Sequence, residues 1–161
     1  MRWGVTAAAA VTVVVGAVII RTQCIDVVSV SSGSMSPTVC TGDTVMLARL
    51  SDGDDVAGGD IVTFPSPVDG VQMIKRVVAA AGQRVVIKDA VLYVDGLPVT
   101  EPYVDHASID GVYTPTVTVP SGSVFVLGDN REIAIDSRAF GSIPTSVIDG
   151  RLLFTLWSNC P

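Results

Sequence analysis

The sequence is poor in charged residues and lacks the motifs that hold nucleotides and metals. Asp, Glu, Lys and Arg make up 16% of the 161 residues and apolar residues make up 48%, a composition that excludes an intrinsically disordered chain. The formal net charge of −6 argues against a nucleic-acid partner, because such a partner requires a basic face. Neither a phosphate-binding glycine motif nor a cluster of Cys and His with ligand spacing occurs. The sequence therefore predicts one modest domain that uses no cofactor and no metal.

A long apolar run lies near the start of the sequence. Residues 3–20 carry no charge, and as a helix they would span about 27 Å, close to the roughly 30 Å core of a bilayer. A cleavable signal peptide is the alternative, but the run ends in "GAVIIRTQC", without the small residues of a cleavage site. We therefore predict a retained transmembrane anchor over residues 1–24, with the lipid bilayer as a partner. Its orientation stays open, because Arg2 and Arg21 balance the charge across the span.

Three cysteines bear on the redox environment of the protein. Cys24, Cys40 and Cys160 are compatible with one disulfide on an oxidising face and one cysteine left over. Three buried free thiols are the alternative, and the sequence does not choose between the two.

Residues 25–161 carry the pattern of a mainly β domain. Runs such as "DIVTFP", "RVVIKD" and "TVTVPSGSVFVLG" are short and rich in Val, and Gly, Pro, Asp or Ser separates them. Asp-Gly in "VDGL", residues 94–97, predicts a two-residue hairpin turn. No helical period of useful length follows residue 21. The pattern predicts an antiparallel β domain behind the transmembrane helix.

The segment "SVSSGSMSPT", residues 29–38, holds five serines beside one Gly, one Met and one Pro. It is either a flexible linker or the site of a nucleophilic serine, which needs a base to remove its proton. His106, the only histidine, could serve as that base with Asp105 in a Ser-His-Asp triad. Adjacent side chains of a strand point to opposite faces, so Asp105 would not easily orient His106, and the triad is disfavoured.

Lysine is the other candidate base, and the sequence has two lysines. Lys88 in "VVIKDAV" is interpreted as a surface charge. Lys75 in "VQMIKRVV" would share the face of a strand with Met73 and Val77, while Arg76 points the other way. An ammonium on an apolar face loses hydration, which lowers its pKa and favours a role as a base. Lys75 and Ser34 therefore form a candidate dyad.

A dense group of polar residues follows the apolar strand "SVFVL". The segment "GDNREIAIDSRAFG", residues 128–141, includes two Asp, one Asn and two Arg. Charges at the end of a strand require internal pairing if they are even partly buried. The segment is either a plain loop or one side of a site that fixes the lysine.

Four segments, in order, resemble the boxes of bacterial type I signal peptidases, the membrane-anchored Ser/Lys endopeptidases that remove signal peptides from exported proteins. They are "SGSMSPT" (32–38), "GDIVTF" (59–64), "IKRVV" (74–78) and the segment 128–141. The stretch "VLYVDGLPVTEPYV" (91–104) is similar to the hairpin of that family, within an insertion over about residues 83–122. The resemblance implies a barrel-like catalytic β domain over residues 25–161. It also implies a single-pass protein of the cytoplasmic membrane with this domain on the extracytoplasmic face.

The resemblance assigns roles to residues of this sequence. Ser34 would be the nucleophile and Lys75 the general base, with the Ser34 N–H and the Ser32 hydroxyl as the oxyanion hole. Shallow apolar pockets would take the small residues of an Ala-x-Ala site, and their residues would be Val28, Val30, Met35, Met73 and Ile74. A polar wall would support the lysine, and its residues would be Arg76, Asp129, Arg131, Asp136 and Arg138.

The sequence departs from the family pattern in two places. The loop "AAAGQ", residues 79–83, stands where the family usually has a Pro-Gly-Asp turn, which is a structural change. The second departure is the more serious. Ala134 stands where the family usually has a serine whose hydroxyl bonds the base lysine. Two alternatives to a general signal peptidase follow from the small domain and this change. One is a catalytically impaired homologue that acts as a binding or assembly module, and the other is a specialised peptidase for a narrow, pilin-like set of substrates.

Overall fold

A computed structural model describes residues 24–51, 53–105 and 113–160 of the chain. Apart from Cys24, the predicted anchor over residues 1–24 lies outside the described residues, and so does His106. Within the described ranges, no helix is both long enough and apolar enough to cross a bilayer.

The described part of the chain is mainly β, as the sequence predicts. The strands are β1 (Ile25–Ser29), β2 (Thr44–Arg49), β3 (Ile61–Pro65), β4 (Gln72–Ala80), β5 (Arg84–Lys88), β6 (Val91–Val94), β7 (Leu97–Pro98), β8 (Val117–Thr118), β9 (Ser123–Leu127), β10 (Ile143–Pro144) and β11 (Gly150–Trp157). One short helix, α1 (Ser137–Phe140), and a 3₁₀ turn (Thr145–Val147) complete these elements.

The strands form two antiparallel sheets. The larger has seven strands in the order β1-β2-β11-β3-β4-β9-β10, and the smaller has four in the order β7-β6-β5-β8, counted within the described residues. The smaller sheet lies between β4 and β9 in the chain, inside the predicted insertion. Its hairpin turn is the expected one, because Asp95 and Gly96 have φ angles of 52° and 83° between the paired strands β6 and β7.

An apolar cluster fixes the serine-rich segment 29–38 against the larger sheet. Val30, Met35 and Val39 pack with residues of β2, β3 and β4, namely Val45, Leu47, Ile61 and Ile74. Met35 and Val39 are fully buried at 0% exposure. Their burial removes apolar area from water and orders the backbone around Ser34. The segment is therefore fixed to the core through Val30 and Met35, an arrangement that a flexible linker does not have.

A disulfide joins the end of the chain to the loop that follows this segment. Cys40 and Cys160 are bonded, with their Cα atoms 5.3 Å apart, and Cys24 is an exposed free thiol. The one-disulfide alternative is therefore correct. The buried carboxylate of Asp43 strengthens the junction, since it accepts the backbone N–H of Cys40 at 2.9 Å and that of Asn159 at 2.6 Å. A cross-link that closes so long a loop typically stabilises a domain by about 2–4 kcal/mol.

Candidate active site

Ser34 and Lys75 lie in contact although 41 positions separate them. Lys75 Nζ donates a hydrogen bond to Ser34 Oγ at 2.8 Å. Ser34 is 8% exposed and Lys75 only 3% exposed. The contact forms because the loop after β1 packs over the apolar side chains of β4, including Ile74 beside the lysine. A hydroxyl and an amine at this distance can exchange a proton directly.

The surroundings of Lys75 favour its neutral form. Burial lowers the pKa of the Lys75 amine below its ordinary value, and the negative charge of Asp136 opposes this shift in part. The amine also donates to the Ile74 carbonyl oxygen at 2.9 Å, which helps to hold it in place. A lysine with a lowered pKa can accept a proton nearer to neutral pH than a solvated lysine can.

A second hydroxyl stands next to the candidate nucleophile. Ser32 Oγ is 3.3 Å from Ser34 Oγ, and Ser32 is exposed. A hydroxyl in this position can donate to an oxyanion that forms on a substrate bound at Ser34. The predicted role of Ser32 in an oxyanion hole is compatible with this geometry.

A cleft of about 650 Å³ runs over the larger sheet and reaches Ser32, whereas the buried Ser34 and Lys75 are not among its lining residues. Ser32 and four of the five predicted pocket residues line it, namely Val28, Val30, Met73 and Ile74. Met35 does not line the cleft and lies fully buried in the cluster that contains Val30 and Ile74. Gly150 also lines the cleft and has no room for a side chain, because a Cβ there would lie 2.6 Å from Thr63 Oγ1. Apolar side chains of β1, β2 and β4 and polar groups such as Asp26, Arg49 and Asp149 together line the cleft, and its apolar part suits small aliphatic side chains.

The five residues of the polar wall are engaged in ion pairs. Arg76 binds Asp129 through two hydrogen bonds of 2.8 and 2.7 Å, and Arg138 Nε donates to Asp136 at 2.8 Å. Arg131 pairs with Glu101. None of the hydrogen bonds among the described residues joins the wall directly to Lys75. Asp136 acts on the lysine through its charge alone.

Gly128, at the end of β9, lies directly against the main chain of Ser34. A Cβ at Gly128 would be 2.6 Å from the Ser34 carbonyl oxygen and would collide with the Cβ of Ala134. Asn130 N–H donates to the same carbonyl oxygen at 3.1 Å, and Gly128 N–H donates to Asp136 at 3.0 Å. The segment that begins at Gly128 therefore sets the position of the Ser34 backbone.

Glu101 is a site residue that the sequence did not reveal. It is the buried partner of Arg131, 30 positions away, and it lies in the stretch 91–104 that resembles the hairpin of the family, outside the four boxes. The sequence alone suggests a different partner for Arg131, because the acid Glu132 directly follows it. In the fold, however, Glu132 is exposed. Only the fold identifies the pair.

Ala134 leaves the lysine without the hydroxyl that the resemblance led us to expect. Ser137, which could have taken that role, instead accepts the Val126 N–H at 2.9 Å. The hydroxyl of Ser142 is buried and has no hydrogen-bond partner among the described residues. The contacts of Lys75 Nζ given above are thus one hydroxyl and one carbonyl.

Comparison with known proteins gives a consistent result. The family described as signal peptidase, peptidase S26, matches residues 1–157. The chain is 37% identical over 134 residues to a probable signal peptidase I-1 of Synechocystis sp., an alignment that covers 78% of this chain and 67% of that protein. It is 35% identical over 141 residues to signal peptidase I of Bacillus caldolyticus, covering 80% and 77% of the two chains. The crystal structure of a signal peptidase I from Enterococcus faecalis superposes with a TM-score of 0.54 at 33% identity, and covers 62% of this chain and 97% of that one.

Proposed function

The chain belongs to the peptidase S26 family of signal peptidases, which makes it a serine peptidase, and from this premise we propose that it cleaves signal peptides with Ser34 and Lys75 as a catalytic dyad. The observation that carries the proposal is the buried contact of 2.8 Å between Lys75 Nζ and Ser34 Oγ. A serine hydroxyl is inert without a base, and this amine is the base in hydrogen-bond contact with it.

The reaction follows the usual course of acyl transfer. Neutral Lys75 takes the proton of Ser34 Oγ as that oxygen attacks the carbonyl carbon of the scissile bond. The resulting ammonium returns the proton to the leaving amine, and an acyl-enzyme remains on Ser34. Lys75 then activates a water molecule that hydrolyses the ester. The Ser32 hydroxyl and the Ser34 N–H stabilise the oxyanion, and such donors typically contribute a factor of about 100–1,000 each.

The cleft supports a preference for small side chains before the scissile bond. Val30 and Ile74 are almost fully buried and line the cleft together with Ser32, so they form a packed apolar wall near that hydroxyl. Large residues at P1 and P3 would collide with this wall, whereas alanine would fit. We therefore propose an Ala-x-Ala type of cleavage site in exported preproteins.

We also propose that the protein is held at the cytoplasmic membrane by one N-terminal span, with the β domain on the extracytoplasmic face. The apolar run 3–20 ends shortly before β1, and β1 pairs with β2, which pairs with β11. Large apolar side chains are exposed on these strands, including Phe154 at 52% and Trp157 at 68%, both on β11. Apolar groups beside an anchor are stabilised by contact with the lipid interface.

A cleavage assay tests the proposed function. The full-length chain, purified in detergent micelles, is incubated with a preprotein whose signal peptide ends in Ala-x-Ala, and the product masses are measured. We expect a single cut after the second alanine. The absence of a hydroxyl at Ala134 favours a second candidate function, that of a catalytically impaired homologue that binds preproteins as an assembly module. Binding of the preprotein without any cleavage would favour that candidate.

The pH dependence of cleavage tests the role of Lys75. Burial disfavours the ammonium, so the neutral base appears below the pKa of about 10.4 of a free lysine, and kcat/KM is expected to rise with pH through that lowered value. Tyr103 cannot account for such a limb, because burial raises its pKa to about 12. A pH profile of kcat/KM measures the limb. A limb whose pKa equals that of a solvated lysine would contradict the proposal that the base is a desolvated Lys75.

Restoring a hydroxyl at position 134 is expected to raise activity modestly. In Ala134→Ser, a new hydrogen bond to Lys75 would reduce the freedom of the amine, and one such bond is worth roughly 0.5–1.5 kcal/mol, or several-fold in rate. The cleavage site should stay the same. Steady-state kinetics and product masses test both points. An equal or lower rate would show that Ile74 already orients the amine sufficiently, and a gain from nothing to strong activity would favour the impaired homologue.

A further inference from the structure

A buried acid outside the catalytic segments reaches the candidate site from the side of the smaller sheet. Glu101 follows β7, and its side chain is 0% exposed, while that of its partner Arg131 is 2% exposed. One carboxylate oxygen of Glu101 accepts from Arg131 and also from the Tyr103 hydroxyl at 3.3 Å. A buried guanidinium needs such a partner, because an unpaired charge in the interior is strongly unfavourable.

Arg131 connects this acid to the main chain beside Ser34. Arg131 Nε donates to the Gly128 carbonyl oxygen at 3.0 Å. Gly128 is the residue whose Cα lies against the Ser34 carbonyl group, with no room for a Cβ between them. A displacement of the Arg131 side chain would therefore move the backbone on which Ser34 rests.

Glu101 is also connected, through Tyr103 and Arg76, to Asp129, the residue that follows Gly128. The ring of Tyr103 covers the guanidinium of Arg76 at 4.0 Å, and Arg76 binds Asp129, the residue after Gly128. Glu101 Oε2 and Arg131 Nη1 are buried without a hydrogen-bond partner among the described residues, so the ion pair is joined through Glu101 Oε1 and Arg131 Nη2.

We propose that Glu101 is a positioning residue for the reaction at Ser34: it holds Arg131, and Arg131 fixes Gly128 and hence the nucleophile. This inference rests on the proposed function, and it makes the segment that carries Glu101 part of the catalytic architecture. Glu101 touches neither substrate nor reacting atoms. Its effect is on the geometry of attack, where a misplacement of about 1 Å can cost about 100-fold in rate.

Glu101→Gln tests the proposal, because it keeps the shape of the side chain and removes its charge. The full-length chain in detergent micelles is assayed well below its Tm. We expect kcat to fall by about tenfold to 100-fold with KM nearly unchanged. The acidic limb of the pH profile should stay in place, because burial and Asp136 set the pKa of Lys75. Asp54→Asn is the control: it neutralises an exposed acid that accepts the Ser51 N–H in a loop outside the four segments and the cleft, and it should leave kcat unchanged.

A double variant separates positioning from simple neutralisation of charge. Glu101→Leu with Arg131→Met replaces the pair by apolar side chains of similar size, a change that often preserves stability. We expect its Tm to return toward that of the wild type while kcat stays low, because Met has no N–H to hold Gly128.

Several results would overturn the inference. The first is a Glu101→Gln variant with a lower Tm but an unchanged kcat. The second is a double variant whose kcat returns to that of the wild type. The third is a shift of the acidic limb of the pH profile in Glu101→Gln. Wild-type protein that does not cleave the preprotein overturns the proposed function and the inference with it. Wild-type cleavage with an unaffected Glu101→Gln variant overturns the inference alone.

Discussion

Replacing Ser34 with Ala, or Lys75 with Met, is expected to reduce signal-peptide cleavage by at least about 10⁴-fold. The two side chains act as one unit, so loss of the nucleophile and loss of the base should have similar effects, and the double variant should be no worse than either. The fold should persist, since Ala is smaller than Ser and Met fills the buried space of the Lys75 side chain without a charge. Product formation over long incubation, together with Tm, measures both expectations.

Two further variants serve as controls for this result. Lys88→Met removes the other lysine, which lies on β5 with its amine 5.8 Å from the centre of the Tyr93 ring, and should leave the rate unchanged. His106→Ala tests the disfavoured triad and should also be close to wild type. Substantial turnover by Ser34→Ala or Lys75→Met would end the dyad hypothesis, and a large loss in His106→Ala would revive the triad.

Gly128→Ala is expected to cause the second-largest loss, about 100-fold in kcat/KM. The new Cβ would lie 2.6 Å from the Ser34 carbonyl oxygen and would collide with the Cβ of Ala134, and neither atom can move away by a side-chain rotation. The end of β9 must then move away from the nucleophile, which also lowers stability. Kinetics at a temperature well below Tm separates the catalytic effect from partial unfolding.

Gly58→Ala provides the matched control for this substitution. Gly58 is exposed, has nothing within 4 Å of an added Cβ, and has no positive φ angle. The control should therefore retain full activity. Wild-type kinetics in Gly128→Ala would show that the segment 128–131 can shift without disturbing Ser34, which would also contradict the positioning role of Glu101.

Some contacts of the site could be anticipated from the sequence and others could not. Ser34 and Lys75 could be paired because each lies in a segment that resembles a box of one family, and the fold places them in contact. Met35 was expected to support the site and the wall of the pocket, and it lies fully buried against Val30 and Ile74, two residues that line the cleft. The partner of Arg131 was not anticipated, since a nearer acid, Glu132, stands beside it in the sequence.

The amino-acid sequence by itself determined the β character of the domain and the hairpin turn at Asp95-Gly96. These follow from alternation of side chains and from turn chemistry, which act between near neighbours in the chain. The tertiary structure alone decided that Cys40 bonds Cys160 and that Glu101 meets Arg131. Such pairs depend on the path of the whole chain. The residues next to a cysteine, a carboxylate or a guanidinium do not indicate which distant group will become its partner when both are buried.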